Sequence, residues 1–191
     1  MSAEKSQDLW LFGYGSLIWN PDFEFLEQQR ATAIGWTRRF WQGSHDHRGV
    51  PGAPGRVVTL IPEEDSRCTG MAYRVDAVTA SAILPDLDHR EKNGYERHQL
   101  TLCLESHTKV EGLVYIASRD NFAWLGEAPL EEIAAQITRS HGPSGANSDY
   151  LLELAKALHD LDANDVHVSE LAALVTANLH RAHPEPASET S

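Results

Sequence analysis

Two glycines flank an aromatic in Gly13-Tyr14-Gly15-Ser16-Leu17-Ile18, directly after the short apolar run Leu9–Phe12. Glycines there let the backbone take unusual φ angles and approach a ligand closely. Consecutive N–H groups in such a turn form a concave anion site. The segment is not a dinucleotide fingerprint, because Ile18 stands where the third glycine belongs. It lacks the Lys-Ser/Thr of a phosphate loop and the glycines of a nucleophile elbow centred on Ser16. The bland alternative is an ordinary tight turn.

Three further segments carry reactive residue types. Ser44-His45-Asp46-His47-Arg48-Gly49 has imidazole and carboxylate, the donors of many metal sites. No HxxxH spacing backs a metal elsewhere, so a polar loop or a metal-free pocket wall competes with that reading. Arg38, Arg39, Arg48 and Arg56 could supply positive charge to an anionic ligand, or lie solvated. Asp88-His89-Arg90-Glu91-Lys92-Asn93-Gly94-Tyr95 reads as a charged helix end with a glycine stop. A carboxylate there, if buried, would gain proton affinity and become a general base. Gly142-Pro143-Ser144-Gly145, with Asn147 and Tyr150, either joins two helices or presents amides and a hydroxyl to a carboxylate.

These segments need elements to hold them. Leu9–Gly13 reads as a buried strand, Ala31–Gln42 as a second, and Gly49–Gly55 as a loop. Arg56–Ile61 and Cys68–Val75 read as two strands split by the acidic turn Glu63-Glu64-Asp65, and Tyr95–Glu105 and Val110–Ala117 as two more. Ala77–Leu84 reads as a short helix that Pro85 should end or kink. Pro129 opens a helix with Glu131 and Glu132 in its first turn and Ile133 and Ile137 on one face. Asn147, Ser148 or Asp149 is placed to cap the next, whose apolar set is Leu151, Leu154, Ala155 and Leu158. A last helix spans about Val166 to Leu179. Strands first and helices last indicate an α+β fold, with short strands around glycine-rich turns curling toward a barrel. Residues 1–8 read as a flexible arm, 9–183 as one domain and 184–191 as a disordered tail.

Composition narrows the class. The 191 residues are 41% hydrophobic and 23% charged, as in globular chains. A net charge of −12 argues against a nucleic-acid partner, whose binders carry a basic footprint. No apolar stretch nears the roughly 18 residues of a membrane helix, and Leu9–Phe12 is too short for a signal-peptide core. Cys68 and Cys103 lack CxxC spacing, so reduced thiols and a cytoplasmic location are expected.

Taken together, the segments carry a resemblance. Phe12-Gly-Tyr-Gly-Ser-Leu-Ile-Trp19-Asn20, Arg38-Arg-Phe-Trp-Gln-Gly43, Asp46-His-Arg-Gly-Val-Pro51, Pro54-Gly-Arg-Val-Val-Thr-Leu60, Gly70 to Arg74, Arg90-Glu-Lys92 with Gly94-Tyr95, Pro129-Leu-Glu-Glu-Ile133 and Gly142-Pro-Ser-Gly145 occur in that order. The set closely resembles the ChaC-type glutathione-specific γ-glutamylcyclotransferases, from about Leu9 to Leu158. Asn93 departs from the family pattern, where many members have a second glycine, and so does Pro85, in the segment before Glu91.

The resemblance implies the γ-glutamylcyclotransferase-like fold, a small mixed β-barrel with helices packed around it. It implies cleavage of reduced glutathione, the small-molecule partner, to 5-oxoproline and cysteinylglycine, without metal or organic cofactor. It makes Glu91 the catalytic acid/base and residues Gly13, Tyr14, Gly15, Ser16, Leu17 and Ile18 the loop holding the γ-glutamyl group; Tyr150 is a further candidate contact. Rival readings are a cyclotransferase for other γ-glutamyl compounds, a non-catalytic γ-glutamyl-binding module, and a metal hydrolase built on His45-Asp46-His47. Oligomeric state is left open.

Overall fold

The computed structural model describes residues 8–182. The tail expected at 184–191, and the arm expected at 1–8 apart from Asp8, lie outside the described residues. Asp8 itself pairs with Arg74 at 2.7 Å.

Five strands close into a barrel in the order β1-β3-β2-β4-β5. They are β1 (Leu9–Gly13), β2 (Glu27–Ser44), β3 (Gly55–Val75), β4 (Tyr95–Leu104) and β5 (Lys109–Ala117). The sheet is mixed, because β1 pairs antiparallel with β3 (Leu9↔Val75 to Gly13↔Met71) and parallel with β5 (Trp10↔Gly112). Leu11 and Phe12 of β1 are buried in different cores. A strand covered on both faces must be a continuous apolar run, which is why this one does not alternate.

The two strands expected on either side of Glu63-Glu64-Asp65 are one strand, β3. Its register with β2 steps from Trp36↔Pro62 to Ile34↔Arg67, so residues 63–66 bulge opposite Gly35. Gly35 takes φ +82, a conformation that suits glycine. The acidic residues therefore mark a bulge that bends the strand and does not interrupt it.

Helix α1 (Ala77–Arg90) is longer than expected and runs through Pro85. Asp76 caps its start, accepting from the Val78 and Thr79 N–H groups. Pro85 and Ser81 are both exposed, so water can reach the Ser81 carbonyl that proline leaves without a donor. Buried Ala80 and Leu87 keep the helix seated on β1, β3 and β5.

The last third is helical: α2 (Leu130–Arg139), α3 (Asn147–Asp160) and α4 (Val166–Ala182), with the short hairpin β6 (His141–Gly142) and β7 (Gly145–Ala146) between α2 and α3. Ile133, Ile137, Leu151, Leu154 and Leu158 share one core with residues from all five strands. Asn147 does not cap α3; that position is Ala146, which gives no side-chain bond. The Asn147 side chain is fully buried and clamps β3 instead, accepting from Arg56 N–H (2.7 Å) and donating to Arg56 C=O (2.8 Å). No helix of the described residues is long and apolar enough to cross a membrane.

Candidate active site

The end of β1, the end of α1 and the start of α3 converge on one cleft. Its inner part is a cavity of about 50 Å³ lined by Gly13, Tyr14, Gly15, Ser16, Leu17, Glu91 and Tyr150, with Val58, Tyr95 and Tyr115. Every expected site residue but one faces it. Ile18 is the correction: its side chain is buried in the core, and its N–H donates to Gly15 C=O at 3.0 Å.

The turn is fixed through its carbonyls and side chains. Arg38 Nε donates to Tyr14 C=O (2.7 Å), Tyr73 Oη to Leu17 C=O (2.6 Å) and Arg90 Nη2 to Ser16 Oγ (2.8 Å). Residues 16–18 form one turn of 3₁₀ helix. The Ile18, Trp19 and Asn20 amides are used inside this turn, whereas those of Tyr14 to Leu17 meet no acceptor among the described residues. These four amides are left to solvent or a ligand, and their residues line the cavity. Gly15 lets the ligand side stay open. A Cβ there would stand 2.9 Å from Tyr150 Oη and 3.0 Å from Val58 Cγ2.

Glu91 follows the last residue of α1, with its N–H on Leu87 C=O (2.8 Å) and its C=O accepting from Tyr95 N–H (3.2 Å). Its side chain is 19% exposed, and Arg90 Nε stands 3.9 Å from its carboxylate. Burial pushes its pKa up to about 7; Arg90 opposes that shift and the nearby Asp46 carboxylate adds to it. Burial also raises the Tyr14, Tyr95 and Tyr150 hydroxyls, so all three stay neutral; Tyr14 Oη donates to Tyr115 C=O and Tyr95 Oη to Val58 C=O, both at 2.6 Å.

A buried amide network holds the turn after Glu91. Gln42 Nε2 donates to Asn93 C=O (2.8 Å) and Asn121 Oδ1 (3.0 Å), and Asn93 Nδ2 donates to Gly43 C=O (2.7 Å). Asn93 is thus a tie from this turn to β2. Gly94 has φ +93, and a Cβ on it would meet Asn121 Oδ1 at 2.3 Å. Gly94→Ala is expected to cost about 1–3 kcal/mol through strain at that φ, read as a lowered midpoint in thermal unfolding.

The four arginines divide. Arg38 and Arg56 are buried and structural: Arg56 reaches Phe40 C=O, Gly126 C=O and Gln136. Arg39 turns to Thr37 and Glu63. Only Arg48 reaches the cleft, joined there by Arg90. Among the described residues no three His, Cys, Asp or Glu side chains converge as a metal site would require. Sequence reasoning missed Tyr115, which comes from a strand with no local signature, and did not single out Val58 within the Pro54–Leu60 segment. Tyr95 was in view as part of the Gly94-Tyr95 segment, though not as a cavity wall.

A model of the ChaC-like protein family matches residues 9–178. Gamma-glutamylcyclotransferase 2-3 of Arabidopsis thaliana is 44% identical over 173 residues, 86% of each chain. Glutathione-specific gamma-glutamylcyclotransferase 1 of Homo sapiens is 41% identical over 177 residues, covering 90% of this chain and 78% of the human one. A crystal structure of the yeast γ-glutamyl cyclotransferase specific to glutathione matches with a TM-score of 0.87 at 30% identity, over 93% of this chain and 99% of that one. A largely buried carboxylate facing a glycine-bounded turn, on a closed five-stranded barrel, thus sits in a chain that belongs to the ChaC-like family.

Proposed function

We propose that the protein is a γ-glutamylcyclotransferase that cleaves reduced glutathione to 5-oxoproline and cysteinylglycine, with Glu91 as general acid/base. The observation that carries this is one cavity holding a carboxylate of pKa about 7 together with the free amides of Tyr14 to Leu17. The glutathione-specific names of the human and yeast relatives support the substrate. The barrel shares one core with α2, α3 and α4 and a second with α1, which supports treating the described part of 9–183 as a single unit. Free thiols at Cys68 and Cys103 fit a reducing compartment, and we place the reaction in the cytoplasm.

The chemistry is an internal displacement, so the protein supplies no nucleophile. The α-amine of the γ-glutamyl group attacks its own γ-carbonyl carbon. A five-membered ring closes, and the C–N bond to cysteinylglycine breaks. A small cavity favours the folded substrate, and well-oriented intramolecular reactions reach effective molarities of about 10⁵–10⁸ M. Glu91 takes one proton from the α-ammonium and returns it to the departing nitrogen; the ring nitrogen sheds its second proton as it becomes the lactam N–H, and the freed amine of cysteinylglycine takes it up. The four amides receive the α-carboxylate and the oxyanion growing on the γ-carbonyl; one well-aimed oxyanion donor is worth about 2.7–4 kcal/mol.

Incubation of the purified protein with reduced glutathione and a chelator, read by mass spectrometry, tests the reaction. Equal amounts of 5-oxoproline and cysteinylglycine are the expected result. A folded protein that yields neither refutes the glutathione reading.

The proton affinity of Glu91 also sets a pH profile. The base must be ionised, so kcat/KM is expected to rise with pH through about 7. Asp46→Asn removes a charge that disfavours ionisation, so it should move this acid limb to lower pH. A limb left in place by Asp46→Asn would show that the two carboxylates do not interact.

A further inference from the structure

The inner cavity opens into a second one of about 310 Å³; the two share Ser16, Glu91, Tyr95 and Tyr150. On the glutathione reading, the inner cavity takes the γ-glutamyl end, so the leaving dipeptide lies in the outer one. That dipeptide ends in a carboxylate, which needs a cation.

Two arginines line the outer cavity. Arg90 is committed: it donates to Ser16 Oγ at 2.8 Å and faces Glu91 at 3.9 Å, beside the reacting atoms. Arg48 is not. Its Nη1 donates to Ala146 C=O at 3.1 Å, and among the described residues no carboxylate lies within 4 Å of it. Its guanidinium sits over the Tyr150 ring, 5.7 Å from the centroid. Its own N–H is tied to Ser44 Oγ at 2.9 Å. Gly145, at φ +107, leaves room for it: a Cβ there would stand 3.3 Å from Arg48 Nη1. In a chain of net charge −12, this is a positioned guanidinium with donors to spare. A planar fork of that kind matches a carboxylate in two parallel hydrogen bonds.

We propose that Arg48 binds the terminal carboxylate of the leaving dipeptide, and so selects γ-glutamyl peptides with a free C-terminus over γ-glutamyl amines, amides and esters. This rests on the glutathione reaction proposed above. The role is one of binding and selection, since Arg48 need not touch the reacting atoms.

The test compares reduced glutathione with its glycyl monoethyl ester, on wild type, Arg48→Gln and Arg48→Lys, scoring 5-oxoproline release. A charge-assisted bond predicts that wild type loses about 10–100-fold in kcat/KM on the ester, mainly through KM. Arg48→Gln should lose a similar factor on glutathione and no longer tell the two substrates apart. Arg48→Lys should recover part of the preference. Wild type treating both substrates alike would overturn the proposal while leaving the reaction standing. So would an Arg48→Gln variant weakened by the same factor on both, since that marks mere support of Tyr150. No 5-oxoproline from either substrate would refute the reaction itself, and the role of Arg48 with it.

Discussion

Glu91→Gln is expected to lower the rate of 5-oxoproline formation by about 10²–10⁴-fold, the usual contribution of a positioned general base. Glutamine keeps the shape and cannot take the α-ammonium proton. A residual rate within a few-fold of wild type would remove Glu91 from the chemistry. The same substitution should stabilise the fold in alkaline solution. Burial holds the Glu91 carboxyl at a pKa of about 7 against 4.5 when solvated. The neutral form is the one the fold prefers, so that preference is fully present below about pH 4.5 and lost as pH rises through 7. A glutamine never ionises and escapes the loss. Thermal unfolding should therefore find Glu91→Gln close to wild type near pH 4 and more stable at pH 8, by up to about 3 kcal/mol. Loss of activity with a gain in stability distinguishes a strained functional group from a structural one. A variant less stable than wild type at pH 8 would contradict the burial cost inferred for Glu91.

The second large effect is expected at Arg38. Its side chain is 1% exposed and meets three acceptors: Tyr14 C=O at 2.7 Å, Thr69 C=O at 2.5 Å and Asp165 Oδ2 at 2.7 Å. Asp165 in turn accepts from the Val168 N–H in the first turn of α4. One guanidinium thus ties the glycine turn, β3 and the last helix together. Arg38→Met keeps most of the volume and removes every donor. Removing one partner of a buried pair typically costs about 3–5 kcal/mol, because the other is left desolvated and unpaired. The neighbour supplies the control. Arg39 makes a partly exposed pair with Glu63 at 3.5 Å, a contact type worth about 0–1 kcal/mol. Thermal unfolding of the two methionine variants should separate by several degrees, at about 2–4 °C per kcal/mol for a chain of this size. Arg38→Met should also lose activity by freeing the Tyr14 carbonyl. Equal midpoints for the two variants would refute the anchoring role.

Much of the site could be read from the chain because the chemistry is local. Gly13 to Leu17 line the cavity as consecutive residues, and the Glu91 carboxylate lies at a helix end marked by Gly94. The α+β class followed from strands preceding helices, and the sheet expected to curl toward a barrel closes into one in the structure. Local signals also misled. Pro85 does not stop α1: it and Ser81 lie on the exposed side, where water can serve the unpaired carbonyl, and burial of Leu87 carries the helix on. Glu63-Glu64-Asp65 is a bulge, since pairing with β2 resumes beyond it.

Residue types and spacing by themselves marked the glycine turn and the order of the elements, while it was the family resemblance that singled out Glu91 from its charged helix end. Only the tertiary structure decided which of four arginines is a cleft residue and which are braces, that Ile18 belongs to the core, and that Val58, Tyr95 and Tyr115 wall the cavity. The physical reason is range. φ preferences, helix capping and hydrophobic periodicity act over a few residues and are written in the chain. Burial, and the proton affinity that burial gives Glu91, depends also on Tyr14, Asp46, Val58 and Tyr150, more than thirty residues away in sequence, which meet it only when the barrel closes.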